Sequence, residues 1–225
     1  MVPPEAVSPV ALLRLASSQN RRTLIVVFIT LLIICEMVTY VATTPRPREQ
    51  FFQLYVLGAN HMAADYYPNN DTNIHLGVPV TWYLGVTDNM GSVQLVSIRV
   101  KIGNQTVKPP DDTQALESPA PIVTEFMRFI QNNETWETPF AWSISDAVSS
   151  GNSTRILTLQ IHNETYQIQD CSASNGHNFR LIFELWTWQA DTNAFEFGWV
   201  TNGEDRVAWL QVWFNMTSPR SPRAE

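Results

Sequence analysis

The chain has 225 residues, 44% of them hydrophobic, with 8 Trp and 11 Phe. That is enough for a domain with a real core, and it is not the makeup of a disordered segment. The formal net charge is −7, and from Glu49 onward 19 acidic residues stand against 9 basic ones, which argues against nucleic acid as a partner because phosphate binding needs a basic footprint.

Residues 1–22, MVPPEAVSPVALLRLASSQNRR, are proline-punctuated and weakly basic, and read as a flexible cytoplasmic tail. Residues 23–42, TLIVVFITLLIICEMVTYVA, are apolar on every side and carry one charge, Glu36. At 1.5 Å per residue such a run spans roughly 30 Å, the thickness of a bilayer core. It is read as a single transmembrane helix in contact with lipid, with the N-terminus inside by the weight of Arg14, Arg21 and Arg22. A cleaved signal peptide is the competing reading. Its apolar region is normally about 7–15 residues, and Tyr40-Val41-Ala42 is a poor cleavage match.

Glu36 lies about six residues from the outer end of the run, roughly 9 Å below that interface. An ionised carboxylate there is costly. It is neutral, reaches the headgroups, or contacts a neighbouring transmembrane helix; the partner contact is the functional reading. Residues 43–48, TTPRPR, form a linker, and residues 218–225 a flexible C-terminal tail.

Residues 49–217 read as an extracellular β domain. Phe51–Leu57 is a first strand, with Gly58–Pro68 a turn that re-aims the chain. Val78–Val86 is another strand, its Pro79 placed at a start or an edge. Val93–Ile102 alternates, with Val96, Ile98, Val100 and Ile102 on one face and Ser97, Arg99 and Lys101 on the other. Ser118–Gln131 breaks the pattern. Ile122, Phe126, Phe129 and Ile130 fall at i, i+4, i+7 and i+8 behind two prolines, which predicts a short amphipathic helix across one opening of the core. Arg155–Ile161, Phe179–Trp188, Phe195–Val200 and Val207–Asn215 return to strand patterning between Asn/Gly/Asp turns. The spacing predicts a β-sandwich of roughly seven strands with one short helix in a connection.

Sequons stand at Asn70, Asn104, Asn133, Asn152, Asn163 and Asn215, all after the apolar run, as an exported and glycosylated domain requires. The two cysteines, Cys35 and Cys171, cannot meet inside one exported domain, so Cys171 is read as a quiet, buried thiol, with an intermolecular bridge as the alternative. The four histidines show no metal-ligand spacing, and there is no phosphate loop, nucleophile elbow or C-x-x-C pair. Asn69–Asn73 and Asp111-Asp112 carry oxygens without a calcium-loop spacing and read as polar turns. No cofactor or metal is called for. Trp186 and Trp188 share one strand face, as do Trp209 and Trp213. Exposed, they would stack on sugar or form a protein interface; buried, they are core.

The stretches FFQLYVLG at Phe51–Gly58, AADYYP at Ala63–Pro68 and LGVPVTWYLGVTDNMG at Leu76–Gly91 resemble an archaeal family of membrane-anchored proteins, domain-of-unknown-function 1616. NNETWETPFAWSI at Asn132–Ile144 and NGHNFRLIFELW at Asn175–Trp186 continue the resemblance, which covers roughly Glu49–Trp188. It implies an archaeal envelope protein with an immunoglobulin-like sandwich and carries no catalytic residues to transfer. The sequence therefore points to a non-enzymatic, single-pass envelope protein at the cell membrane, an accessory or structural subunit whose partner is another membrane or envelope protein. A glycan-binding module using the Trp face and a pilin-like filament subunit are the alternatives.

Overall fold

The computed structural model describes residues 9–44 and 49–216, with side chains from Asn20 onward. Residues 1–8 of the expected N-terminal tail, linker residues 45–48 and residues 217–225, which include the expected C-terminal tail, lie outside the described residues.

Helix α1 spans Pro9–Thr43, starting earlier than the apolar run alone predicts. Residues 9–22 are thus helical rather than a loose tail. Pro9 fits the first turn, where its missing N–H has no helical partner to lose, and the Leu/Ala-rich stretch Ala11–Ala16 propagates the helix. Its segment Asn20–Thr43 is long and apolar enough to cross a membrane. Three threonines hide their hydroxyls within it. Thr30 donates to the Val26 carbonyl at 2.9 Å, Thr39 to that of Cys35 at 2.8 Å and Thr43 to that of Thr39 at 2.7 Å. This i−4 back-bonding satisfies these three hydroxyl protons within the helix itself. Glu36 is exposed on the same helix.

The chain from Glu49 onward is a separate unit, a β-sandwich. In chain order its strands are β1 (Phe52–Leu57), β2 (Asn73–Ile74), β3 (Val80–Asp88), β4 (Gln94–Asn104), β5 (Ile122–Ile130), β6 (Thr135–Ser150) and β7 (Ser153–Ile161). They continue with β8 (Glu164–Ser174), β9 (Phe179–Gln189), β10 (Ala194–Phe197), β11 (Trp199–Thr201), β12 (Glu204–Arg206) and β13 (Trp209–Met216). The first sheet runs β1-β3-β6-β7-β8 and the second β2-β13-β9-β4-β5. All pairings in these two are antiparallel except the short β2–β13 contact at Asn73↔Asn215. One edge of β9 is shared, by β13 along Phe179–Glu184 and by β10 along Trp186–Gln189. A small hairpin, β11–β12, stands apart.

Between the sheets lies an aromatic core. Trp82, Phe140 and Trp142 of the first sheet are fully buried against Phe183, Phe179 and Phe214 of the second. Phe140 and Phe183 meet edge to face at 5.4 Å, and Trp142 tilts against Phe214 at 5.0 Å. Burial of such side chains contributes about 1.5–3 kcal/mol each.

The helix expected over Ser118–Gln131 is corrected: Ile122–Ile130 is strand β5, an edge strand paired with β4. The β-branched run Ile122-Val123-Thr124 prefers extended backbone. Alternation places Phe126 and Ile130 inward, while Met127 and Phe129 stand exposed on the outer face. An edge strand with apolar residues on both faces mimics a helical stripe in sequence. The single strand expected at Phe195–Val200 is two, broken where Gly198 takes φ +85° and leaves no room for a Cβ, which would sit 2.1 Å from the Arg206 carbonyl oxygen.

Candidate functional site

Charged and aromatic chemistry concentrates on the outer face of the second sheet. From β4 come Ser97, Arg99 and Lys101; from β9, Arg180, Glu184 and Trp186; from β13, Trp209, Gln211 and Trp213. Register sets them in rows, with Arg99 and Trp209 each opposite Glu184, and Trp213 opposite Arg180. Three cations lie over indole rings, with the Lys101 ammonium the most distant at 5.9 Å from the Trp186 ring centre. The Arg99 guanidinium is 3.7 Å from the Trp186 ring centre and that of Arg180 is 4.8 Å from Trp213.

The β4–β5 connection, residues 105–121, folds back over this face as a strap. Lys101 and Glu184 beneath it are 1% and 0% exposed and lie 2.9 Å apart. Glu184 also accepts from the Ser118 backbone N–H at 2.8 Å and from Trp186 Nε1 at 3.1 Å. Lys101 donates to the Ser118 carbonyl at 2.7 Å and to Glu117. Arg180 donates to the Val107 carbonyl and to the Gln211 side chain. Trp209 Nε1 donates to Asp112 Oδ1 at the strap's tip. Paired in this way, a buried lysine and glutamate satisfy their polar groups and hold the strap down.

Beside the strap's tip the two sheets part. A groove of about 750 Å³ runs between β1 and the segment Asp205–Trp209, with Asp112 on its rim. The Arg206 guanidinium on that wall is paired with Glu204 at 2.7 Å.

A second cluster sits on the first sheet. His61 Nδ1 is 2.7 Å from Glu137, its ring stacked at 3.6 Å on Tyr83, and Tyr55 Oη donates to the same carboxylate at 3.3 Å. Burial, then the Glu137 charge and hydrogen bond, push the Tyr55 phenol up. Tyr55 lies across Gly85, where a Cβ would come within 2.0 Å of its ring. The arrangement tethers the loop after β1 to the sheet, and His61 stays half in solvent. That loop is fastened again at Tyr67, whose hydroxyl donates to the Trp213 carbonyl. Burial pushes the Tyr67 phenol up to about 12.

The predicted tryptophans do not form one exposed row. Trp186 is buried, Trp188 and Trp209 are half-buried, and Trp213 is 38% exposed. Trp188 packs edge-on against Phe195 of β10 at 5.2 Å. Among the sequons, Asn70, Asn133, Asn152 and Asn163 are exposed. Asn104 is half-buried, its amide donating to the Ser172 carbonyl at 2.6 Å and accepting from Thr106 and Val107. Asn215 is half-buried and accepts from the Asn178 N–H at 3.0 Å. Cys171 is in the core, and burial pushes its thiol up to about 12. The acidic turns serve local geometry: Asp111 accepts from the N–H groups of Thr113 and Gln114, and Asp71 from that of Asn73. Among the described residues no three His, Cys, Asp or Glu side chains are placed to hold a metal ion.

Sequence reasoning missed the strap and Glu184. The outward charges of β4 look like solvent-facing polarity, and Glu184 lies within a hydrophobic run. The signal present was a charge inside FRLIFELWTW, which needs a buried partner.

No family model matches the sequence, and no curated protein does. Solved structures with partial similarity include a beta-glucosidase from Listeria innocua, at 9% identity and a TM-score of 0.32, covering 75% of this chain and 16% of that one. Spo0M, a sporulation control protein from Bacillus subtilis, is similar at 9% identity and a TM-score of 0.33, over 75% of this chain and 50% of that one. A beta-D-glucoside glucohydrolase from Trichoderma reesei aligns over 79% of this chain and 21% of that one, at a TM-score of 0.30. This chain thus spans half or less of each protein's length, and likeness at this level carries no function across.

Proposed function

We propose that this protein is a single-pass, membrane-anchored envelope protein whose external β-sandwich acts by binding, as an accessory or structural subunit of a membrane or surface complex. One observation carries the reading. An apolar helix, exposed along Asn20–Thr43, precedes a sandwich with its own aromatic core. A helix apolar all round is soluble only in lipid or against other apolar helices. The four exposed sequons and the acidic surface agree with an external, glycosylated domain, and the resemblance drawn from Phe51–Trp186 points the same way. Of the outer-face charges, Lys101, Arg180 and Glu184 bond the strap and Arg99 pairs with Glu125 on β5, which supports binding over catalysis.

The test is protease added to intact cells, followed by purification in mild detergent. Residues from Glu49 onward should be digested while the N-terminus is protected, and a second membrane or envelope protein should co-purify at fixed ratio. A protected sandwich refutes the topology, as does a mature N-terminus near Thr43. Purification as a lone chain refutes the subunit role.

A further inference from the structure

The two sheets leave an unpaired edge on each side of the groove beside Asp112. On β1 the Asn89 N–H donates to the Phe51 carbonyl, so residues 51, 53, 55 and 57 face β3. By the alternation of antiparallel pairing, Phe52, Leu54 and Val56 turn their N–H and C=O groups the other way. Only the Val56 carbonyl is capped there, by the Tyr66 hydroxyl at 3.2 Å. On β13 the Leu185 N–H donates to the Ala208 carbonyl, so Trp209, Gln211, Trp213 and Asn215 face away from β9. Tyr67 caps Trp213, and Thr72 accepts from the Asn215 N–H. Trp209 and Gln211 are left open. The seam is therefore closed at one end by the Tyr66 and Tyr67 hydroxyls and the Thr72 backbone carbonyl and open at the other, where the groove of about 750 Å³ lies between Phe52–Tyr55 and Asp205–Trp209.

We infer that this groove receives an extended peptide segment of a partner protein, which adds as a strand to the free edge of β1. The inference rests on the binding role proposed above and names the mode. Unpaired edge groups of Phe52 and Leu54 supply backbone hydrogen bonds, as in other strand-addition sites. Charge selects the segment. The groove presents the Asp112 and Asp205 carboxylates, while its one cation, Arg206, is neutralised by Glu204. A strand with basic side chains at alternate positions complements this, because alternate residues face one way.

Full-length protein in detergent micelles is titrated with a fluorescent octapeptide of alternating Arg and Val, read by anisotropy. Two controls replace Arg by Glu or methylate alternate backbone nitrogens. The basic peptide should bind, and each control should bind at least about tenfold more weakly, since one removes charge complementarity and the other the backbone donors. Asp112→Asn with Asp205→Asn, which keeps an acceptor for Trp209, should weaken the basic peptide and flatten its salt dependence. Leu54→Pro removes an N–H that faces the open edge, where proline is tolerated, and should abolish binding. Equal binding of the N-methylated peptide overturns the inference, as does no binding of the basic one. A photo-crosslinker at Gln53 in native membranes separates the two proposals. A co-purifying partner with no Gln53 crosslink sinks the groove and leaves the subunit role. Peptide binding with no co-purifying partner does the reverse. A crosslink from Gln53 to a second copy of this chain overturns the basic-partner assignment.

Discussion

Lys101→Met should destabilise the sandwich by about 3 kcal/mol. Lys101 is 1% exposed and Glu184 0%, and removing one partner of a buried pair typically costs about 3–5 kcal/mol because the other charge stays desolvated. The low end applies for two reasons. Glu184 keeps its bonds from Ser118 N–H and Trp186 Nε1, and Arg99 is its cross-strand neighbour on β4. Glu117, about half exposed, rehydrates at little cost. For a unit of this size about 3 kcal/mol lowers the melting temperature by roughly 6–12 °C. The readout is tryptophan fluorescence during urea and thermal unfolding of the full chain in detergent, with hydrogen exchange of residues 105–121 as the local probe. Those residues should exchange faster than the core strands do. Adding Glu184→Gln should recover part of the loss, since it removes the unpartnered buried charge and keeps an acceptor for the Ser118 N–H. If Lys101→Met stays within about 1 kcal/mol of wild type and exchange in 105–121 is unchanged, the ion pair does not hold the strap.

Three further outcomes are expected. Cys171, its thiol pushed up to about 12 by burial, should resist iodoacetamide at pH 8 in the folded protein and react once urea unfolds it, because the thiolate is the nucleophile; rapid labelling of the native state contradicts this. Asp88 is buried, with Oδ2 unpartnered and Oδ1 accepting from the Met90 N–H at 2.6 Å. Burial raises its carboxyl above the ordinary value, the Met90 hydrogen bond opposes that, and the Glu134 charge adds to it. The folded state therefore favours the protonated form. Its contribution is fully present below the ordinary carboxylate value and is lost as pH rises through the raised one. Asp88→Asn should thus gain stability relative to wild type, in urea midpoints, as pH rises above the ordinary carboxylate value, and a pH-independent difference refutes the assignment. Glu36→Leu should leave membrane insertion intact and lower the yield of co-purified partner, with Glu36→Gln retaining more of it; equal yields make Glu36 a bystander.

Much of the sandwich was legible because its strands alternate cleanly. Val93–Ile102 became β4 and Phe179–Trp188 became β9 within two residues at each end. What failed had physical causes. β6 is the longest strand, yet its pairing with β7 is irregular between Ile144 and Ala147, which breaks the period that a sequence reading follows. β5 looked helical because an edge strand has no need to segregate its apolar residues. The aromatic row suggested by Trp186, Trp188, Trp209 and Trp213 was a correct reading of face and an incomplete one of cover. The strap that partners Glu184 and Trp209 comes from a Pro- and Asp-rich connection with no periodic signal, distant in sequence from both.

The strap also makes stability and recognition a single linked equilibrium. Asp112 stands on the groove's rim from the strap's tip, and the strap lies over the buried Lys101–Glu184 pair, which is one of its fastenings. A ligand that needs Asp112 in place binds the closed form alone. At a hundred times its dissociation constant it would stabilise that form by about 2.7 kcal/mol, close to what Lys101→Met removes. By reciprocity, the same substitution weakens a ligand that never touches Lys101 to the extent that it populates the form with the strap displaced. A residue buried under the strap then behaves as a remote determinant of affinity, and occupancy of the groove can be followed as slowed exchange at Ser118.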